Sequence, residues 1–386
     1  MSAPSVDVTI APAVIADGSL TATNSALMAY AAATGPNAPL VVRSAADAAA
    51  AGVTTAAAQH VADLISNGVP QVVLTRVNTA VTDADTIDAD GWGEAWAKVD
   101  AVNYPLGQAM IPGIGTAEAH EALVRFSQDT RRCAFLDAPI DAAAAAVLDL
   151  AEAQAGSPDT YLTALWPDHA IVRAGGSQTR TIPGSVAAAG PTARMDKHAG
   201  HANRMAAGPQ DTPVTTVVRN AVGVASTRTI AELNAFAAAG INPLRQIPEG
   251  VFLWDFLSIT DDALWTNLAA GQDVPSPRSQ LNWGRLGMQI LGDTGSGLRQ
   301  FLFQPNDGQG QLMTRAENFL GAYLAGLWSV NAIYGDTADD SYSANVLGVT
   351  TENDVASGTL RAAISYAPTP SVRHVQLQAT VTRAGS

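Results

Sequence analysis

This chain of 386 residues has one cysteine, two lysines and no long apolar run. The single cysteine, Cys133, excludes an intrachain disulfide and a cysteine-based metal centre, and its apolar neighbours predict a small core residue. No uninterrupted apolar stretch is long enough to span a membrane, so no membrane insertion is predicted. The first residues lack a basic segment followed by an apolar one, which predicts no signal peptide and assembly in the cytoplasm.

Positive charge is also scarce. The chain carries 35 acidic and 21 basic residues, a net charge of −14, and Lys98 and Lys197 are its only lysines. A nucleic-acid partner needs a clustered basic surface, so this balance argues against nucleic acid and against an anionic membrane surface. Nearly all cations are arginines, which suit fixed ion pairs at interfaces.

The first half of the chain alternates strand and helix signals. At 47% hydrophobic residues it can form a sizeable core, and strands alternating with helices predict a mostly parallel sheet covered on both faces. Thr116 is placed to cap one helix and Gly68 to end another. The predicted strands are 26–33, 39–43, 69–77, 109–113, 133–136, 160–166 and 170–172, and the predicted helices are 55–67, 92–100, 117–128 and 141–155.

A stretch without clear periodicity separates this region from a second one. Residues 174–212 are rich in Gly, Ala, Pro and Ser and are interpreted as a connection between lobes. Beyond it, the sequence predicts helices over 229–239, 279–291 and 313–330 and a strand over 251–257. The 313–330 helix is apolar nearly all round, which predicts that it is buried on every side.

Short alternating segments lie near both termini. Val6, Val8 and Ile10 alternate with polar residues, and the apolar face of the segment 375–382 consists of Val375, Leu377, Ala379 and Val381. Alternation of this kind predicts strands, and a strand with no visible partner predicts pairing with another molecule. The predicted organisation is an N-terminal arm (1–25), an N-terminal α/β region (26–190), a C-terminal α/β region (191–370) and a strand-donating arm (371–386).

Candidate enzyme and metal motifs are weak. Asp293-Thr-Gly-Ser resembles an aspartic-protease turn, but that chemistry needs two carboxylates and the chain has one copy, so a Gly-rich turn is the preferred interpretation. His198 and His201 lack a third zinc ligand nearby and are interpreted as loop histidines. The acidic loop 78–93 lacks the EF-hand order of calcium ligands, and Gly113-Ile-Gly115 lacks the third glycine of a nucleotide-binding turn. No catalytic residue, metal or cofactor is predicted.

The order of several short motifs resembles the contractile tail sheath proteins of phages, pyocin-like particles and related injection systems. Each motif alone is weak, but the nine follow the order found in that family, over roughly residues 25–386. They are Val61–Arg76, Ile111–Gly113, Ala134–Pro139, Thr160–Pro167, Pro183–Gly190, Leu233–Arg245, Gly250–Thr260, Phe303-Gln-Pro-Asn-Asp307 and Ser365–Pro370. The common N-terminal opening of the family is absent, and Ile10-Ala-Pro-Ala-Val14 stands near its place.

The resemblance implies a fold and a function. It implies a multi-lobed α/β subunit with mixed sheets flanked by helices, whose N- and C-terminal arms add strands to neighbouring subunits. It further implies stacked six-subunit rings around an inner tail tube protein, ended by baseplate and tail terminator proteins, which contract to drive the tube through a cell envelope. The family motifs would be structural rather than catalytic. The residues that carry the two closest matches are Phe303, Pro305, Asn306, Asp307, Ala367, Pro368 and Pro370.

Two other classes of function stay open on the residues alone. One is an α/β enzyme, either a hydrolase or a nucleotide-binding enzyme, and the other is a non-contractile shell protein that assembles through exchanged strands. The resemblance places the protein in a virion tail sheath or in a cytoplasmic contractile particle. The arginines of residues 201–386 are candidates for contact with the tube.

Overall fold

A six-stranded sheet forms the centre of the first half of the chain. The computed structural model describes residues 23–79, 86–101, 107–155, 162–210, 213–259, 264–267, 272–275, 280–305 and 309–371. The strand order is β2-β3-β1-β4-β5-β6, and every pair is parallel except β2 with β3. The strands are β1 (Ser25–Ala32), β2 (Leu40–Val42), β3 (Val72–Asn78), β4 (Gly107–Met110), β5 (Cys133–Asp137) and β6 (Thr163–Trp166).

Helices cover both faces of this sheet, as the alternating pattern predicts. Successive residues of a strand point to opposite faces, so Met28 of β1 packs with Val61 and Leu64, while Leu27 packs on the other face with Trp96 and Phe126. The Trp96 and Phe126 rings stack with their centroids 4.7 Å apart. The first helices are α1 (Ala45–Ala50), α2 (Thr55–Asn67), α3 (Ala89–Ala101), α4 (Ala117–Thr130) and α5 (Ala144–Ala155).

Local capping signals set the ends of two of these helices. The Thr54 and Thr116 side chains accept from the backbone N–H groups of Ala57 and Ala119, and Gly68 ends α2 with a left-handed φ of 110°. Both helices are therefore confirmed where the sequence predicts them. The acidic loop is shorter than predicted, because α3 begins at Ala89.

The interpretation of residues 174–212 as a connection without periodic structure is wrong. The chain there forms β8 (Gln178–Ile182) and then α6 (Gly184–Ala199), whose residues 184–193 are all buried. A helix buried on all sides shows no apolar stripe, and Gly190-Pro191 looks like a helix breaker, so periodicity could not find it. The predicted boundary between residues 190 and 191 falls inside α6.

A three-stranded antiparallel sheet follows the first sheet and joins it to the rest of the chain. β7 (Ala170–Gly175) lies between β8 and β9 (Ala221–Val224). The next elements are α7 (Pro213–Thr216), α8 (Ile230–Ala238), β10 (Leu244–Ile247), β11 (Gly250–Leu253), β12 (Leu264–Asn267) and β13 (Gln272–Pro275). Backbone bonds from Asn242 to Leu165 and from Ile259 to Thr163, 3.0 and 2.9 Å, attach this region to β6.

The interpretation of Asp293-Thr-Gly-Ser-Gly297 as a turn is also wrong. These residues belong to α9, which runs over Leu281–Leu298. The Thr294 hydroxyl donates to the Ile290 carbonyl at 2.7 Å, and a Cβ at Gly297 would overlap the Phe319 ring. Small residues here let two helices approach closely, so their role is packing.

The long apolar helix, α10 (Gln311–Ser329), is buried on one face and not all round as predicted. Its buried residues follow helical spacing and are Leu312, Met313, Ala316, Leu320, Leu324 and Leu327. Ala322 and Gly326 on the other face are exposed.

The last described elements are α11 (Ala338–Ser341), β14 (Tyr342–Asn345), α12 (Glu352–Ala356) and β15 (Ala363–Tyr366). No helix within the described residues is both long and apolar enough to cross a bilayer.

The close crossing of α6 and α2 predicts an asymmetric response to alanine substitution. A Cβ at Gly190 would overlap the Asn67 Cβ and lie 2.8 Å from its carbonyl oxygen. Gly190→Ala is expected to lower the free energy of unfolding by about 1–3 kcal/mol in urea titrations, because overpacking forces the helices apart. Gly93→Ala in α3, where a Cβ meets no atom within 4 Å, is the matched control and is expected to raise stability by up to about 1 kcal/mol. Equal effects of the two changes would contradict the close crossing.

Candidate assembly site

A two-stranded hairpin near the C-terminus has the features of a site for strand addition. β14 and β15 pair antiparallel, with Tyr342 beside Tyr366 and Ser343 beside Ser365. Among the described residues, each strand pairs as a ladder only with the other, so each keeps an outer edge. Ile364 and Tyr366 are buried, whereas Ser343 and Ser365 face solvent and bond to each other at 2.8 Å. One covered face and two unpaired edges are what an incoming strand requires.

The motif Ala367-Pro-Thr-Pro370 carries the chain away from this hairpin. The Ala367 carbonyl accepts from the Tyr334 amide at 2.8 Å, and the Thr369 amide donates to the Ala332 carbonyl at 3.2 Å. Pro368 forms an isolated antiparallel bridge with Ile333. Prolines at 368 and 370 fix two φ angles and supply no N–H, so the segment is stiff and extended. The motif is therefore bound to the body of the subunit up to the last described residue, Ser371.

The other close motif match begins at an exposed aromatic residue. Phe303 is 85% exposed and has a left-handed backbone with φ of 61°, which is uncommon for a bulky residue. Gln304 accepts from Arg315 of α10 at 3.1 Å and donates to the Gln300 carbonyl at 2.6 Å. These bonds position the turn that contains Phe303 and Pro305. Asn306 and Asp307 lie outside the described residues.

The predicted arm residues also lie outside the described residues. They are Val6, Val8, Ile10, Val375, Leu377, Ala379 and Val381. Their pairing with a neighbouring subunit therefore stays a prediction.

A groove of about 660 Å³ opens beside the point where the C-terminal segment leaves the body. Its walls include Met205, Leu233 and Ile241, and Ser371 stands at its edge. Trp254, 40% exposed, lines it as well, and the Arg245 guanidinium lies 4.1 Å from the centroid of the Trp254 ring. Ser371 therefore places the groove next to the C-terminal segment.

Several arginines proposed for partner contact are used within the subunit. Arg285 and Arg228 are buried and paired with Asp196 and Asp168, at 2.5 and 2.9 Å. Arg361 pairs with Asp354 at 2.8 Å. These three side chains form ion pairs within the chain, so fewer of the arginines predicted to contact a tube are available for that contact.

The residues weighed as catalytic or metal ligands do not come together. Asp293 accepts from the Tyr323 hydroxyl at 2.7 Å, across α9 and α10. His198 is exposed at the end of α6, whereas His201 is buried and its Nδ1 accepts from the Asn203 amide at 3.2 Å. Within the described ranges, no cluster of three His, Cys, Asp or Glu side chains could hold a metal.

Cys133 is buried, and burial raises the pKa of its thiol to about 12, so it is an inert core residue as predicted.

A buried cluster at the end of β5 resembles catalytic machinery in composition only. The Asp137 carboxylate accepts from the Ser185 hydroxyl and amide at 2.6 and 2.7 Å, and from the Gly113 amide at 2.8 Å. His120 Nε2 donates to the Asp137 backbone carbonyl at 2.7 Å rather than to Ser185. The Ser185 hydroxyl and amide and the Gly113 amide together hold this carboxylate in place. Asp137 instead caps α6, whose own N-cap residue, Pro183, has no side-chain bond to give.

Sequence reasoning missed a group of polar side chains around the start of α9. The Asn282 side chain donates to Asn203, and the side chains of Asn203 and Trp283 both donate to the Thr369 carbonyl. Thr369 lies 86 residues beyond Trp283 in the sequence. Each of these polar residues stands alone in its segment of the sequence, so no local sequence pattern identifies it as part of a network. The only signal in the sequence is the presence of polar groups in segments that otherwise predict core.

Comparison with known proteins places this arrangement in a known fold. No family profile matches the chain, and no curated protein matches its sequence. A chain in the structure of the anti-feeding prophage baseplate superposes with a TM-score of 0.72 and 17% identity, covering 99% of this chain and 100% of that one. A chain in the structure of the contracted PVC sheath complex, an extracellular contractile injection system, superposes with a TM-score of 0.70 and 15% identity, covering 98% of each chain.

A crystal structure extends the likeness to a sheath tail protein. The sheath tail protein of Desulfitobacterium hafniense superposes with a TM-score of 0.57 and 11% identity, covering 86% of this chain and 92% of that one. At these identities the likeness confirms the mixed α/β fold that the resemblance implied.

The buried His120 predicts a defined loss of stability in acid. Burial lowers the pKa of His120 from 6.5 to about 4, against the opposing effect of its bond to Asp137, so the unfolded chain binds a proton that the folded chain excludes. Stability is therefore lost as pH falls from 6.5 towards 4, by about 2 kcal/mol between pH 7 and pH 5 for this residue. His120→Gln keeps a donor for the Asp137 carbonyl and is expected to reduce the difference in unfolding free energy between these pH values by about that amount.

The control for this pH measurement is His198→Gln, at an exposed position. It accounts for the general effect of replacing a histidine by glutamine, and both variants are compared with the wild type in urea titrations at pH 7 and pH 5. An unchanged pH dependence in His120→Gln would show that His120 is not held neutral by burial.

Proposed function

We propose that this protein is the structural subunit of a contractile sheath, which polymerises as stacked six-subunit rings around an inner tube and contracts to drive that tube through a target envelope. The proposal rests mainly on how much of the chain the structural likeness covers. It extends over at least 98% of this chain and of two chains from injection-system structures. The nine ordered sequence motifs support the same function independently of the coordinates. The similar structures are described as sheath or injection-system proteins and not as enzymes.

The hairpin β14–β15 is the proposed acceptor of strands from neighbouring subunits. Its two outer edges offer backbone N–H and C=O groups, and strand addition satisfies them without any precise side-chain fit. The proposed donors are the N-terminal segment with Val6, Val8 and Ile10 and the C-terminal segment with Val375, Leu377, Ala379 and Val381. Alternating apolar residues on a donor would extend the apolar face to which the buried Ile364 and Tyr366 belong.

Backbone pairing of this kind suits a sheath that changes shape. A strand bound through its backbone can stay paired while the bodies of the two subunits rotate, provided that the connecting segments act as hinges. The proposed hinges are the N-terminal arm and the segment after Pro370. The extended sheath would then be metastable and would release stored free energy when triggered.

The proposed partners follow from the same function. They are other copies of this chain, an inner tail tube protein, and the baseplate and terminator proteins that close the two ends. Nucleic acid is not among them, because the net charge of −14 gives no basic surface for phosphates. The proposed location is the tail sheath of a virion or a contractile particle assembled in the cytoplasm.

Removal of the C-terminal arm tests the proposal directly. Deletion of residues 371–386 is expected to abolish polymers while leaving a folded monomer, because the donor strand is lost and the described core is not. Sedimentation and negative-stain microscopy of the purified chain measure polymers, and far-UV circular dichroism checks the fold. Long tubes formed by the truncated chain would contradict strand donation.

A pair of point variants gives the matched control. Leu377→Lys places a charge on the apolar face of the donor strand and is expected to reduce sedimenting polymer at least tenfold. Gln378→Lys adds the same charge to the opposite face and is expected to assemble like the wild type. Striated hollow cylinders from the wild type support a sheath, smooth or closed shells support a non-contractile assembly, and discrete particles at every concentration contradict both.

A further inference from the structure

Thr23, the first described residue, and Thr369, two residues before the last described one, both contact the start of α9. At the N-terminal end, the Thr23 carbonyl accepts from the side-chain Nε2 of Gln108 at 2.7 Å and from Arg285 Nη2 at 3.3 Å. The Thr23 side chain also bonds to Asp196. Thr23, called here the N-terminal root, is therefore held by β4, α6 and α9 together.

Arg285 is fixed by a complete set of neighbours. It is fully buried, and its two terminal nitrogens donate to the Asp196 carboxylate at 3.0 and 2.5 Å. Its guanidinium carbon lies 6.0 Å from the centroid of the Phe256 ring. Burial alone would lower the pKa of Arg285, but the Asp196 carboxylate raises it overall, so the side chain keeps its charge. A bidentate pair of this kind fixes the orientation of the guanidinium, and with it the position of Thr23.

The C-terminal end is bound to the same turn. Besides its backbone pairing with residues 332–334, the segment Ala367–Thr369, called here the C-terminal root, presents the Thr369 carbonyl to two side chains. This oxygen accepts from Trp283 Nε1 at 3.2 Å and from Asn203 Nδ2 at 3.1 Å. Asn282 in turn donates to the carbonyl and side-chain oxygens of Asn203 at 2.7 and 3.0 Å.

Helix geometry places the two roots on opposite sides of one turn. Trp283 and Arg285 are two residues apart, which corresponds to a rotation of about 200° and a rise of about 3 Å. Asn282 lies between the two directions and binds Asn203. The roots are thus connected through a few rigid bonds, although they are 346 residues apart in the sequence (369 − 23).

Stability alone does not explain why this turn is polar. Replacing a buried ion pair by apolar side chains of similar volume is often neutral or stabilising. What the polar network supplies is a unique position for two backbone carbonyls, one at each root.

We propose that the side chains of Asn203, Asn282, Trp283 and Arg285 form a clamp that holds the N- and C-terminal roots in a fixed relation, so that tension on one arm passes to the other through the first turn of α9. This inference rests on the proposed function, in which both arms bind neighbouring subunits. The clamp residues are positioning residues: through their bonds to the Thr23 and Thr369 carbonyls they set where each arm leaves the body.

The test removes a single donor from the clamp. Trp283→Phe keeps an aromatic ring but deletes the N–H that binds the Thr369 carbonyl. Trp328→Phe is the matched control, because the half-buried Trp328 indole donates in the same way to the Gly335 carbonyl, at 2.9 Å, and Gly335 belongs to neither root. The two variants are expected to lower the thermal midpoint of the monomer equally.

Assembly distinguishes the two variants. The protein concentration for half-maximal polymer, measured by sedimentation, is expected to rise roughly fivefold in Trp283→Phe, which corresponds to one hydrogen bond of about 1 kcal/mol. It is expected to stay at the wild-type value in Trp328→Phe. Equal assembly of both variants, in a wild-type background that polymerises, would overturn the clamp and leave the proposed function intact. A wild type that forms no polymer would instead remove the proposed function and the clamp together.

Discussion

The buried ion pair between Asp196 and Arg285 joins the two halves of this protein, and much of the architecture depends on it. Asp196 lies near the end of α6, a helix packed against the central sheet, and Arg285 lies in the first turn of α9. The pair can be accommodated only because α6 is placed accurately, and that placement comes from the cap that Asp137 gives to Ser185 and from the close approach of Gly190 to Asn67. Removing one partner of this pair would leave the other charge buried without compensation. The free energy lost in that way is larger than the net stabilisation that the intact pair provides.

In the sheath that we propose, this arrangement would let each subunit stay rigid while the assembly changes shape. The body is fixed by buried contacts between α6, α9 and the sheet, and both chain ends leave from bonds to that fixed body. A polymer connected by backbone pairing of terminal strands can then change the relation between bodies while each body stays intact. The acidic charge and the few lysines fit an assembly that binds protein surfaces rather than nucleic acid.

Sequence reasoning succeeds here where the signal is local and fails where the partner is distant. The helix Thr55–Asn67 and the strand Cys133–Asp137 carry their own caps and apolar runs, so both are predicted closely. α6 and the glycine-containing end of α9 are missed because small residues pack closely against partners such as Asn67 and Phe319, which no local pattern reveals. The family motifs at Phe303 and Ala367 were found by their order, whereas Asn203 and Trp283 act on Thr369, more than 80 residues away, and leave no mark in the sequence.

The most direct test of the central claim is electron cryomicroscopy of the assembled full-length chain, traced through residues 375–381. The predicted result is a hollow cylinder of six-subunit rings in which this segment pairs as a strand with the β14–β15 hairpin of a neighbouring copy. Rings or tubes in which the segment pairs only within its own subunit would contradict assembly by strand donation.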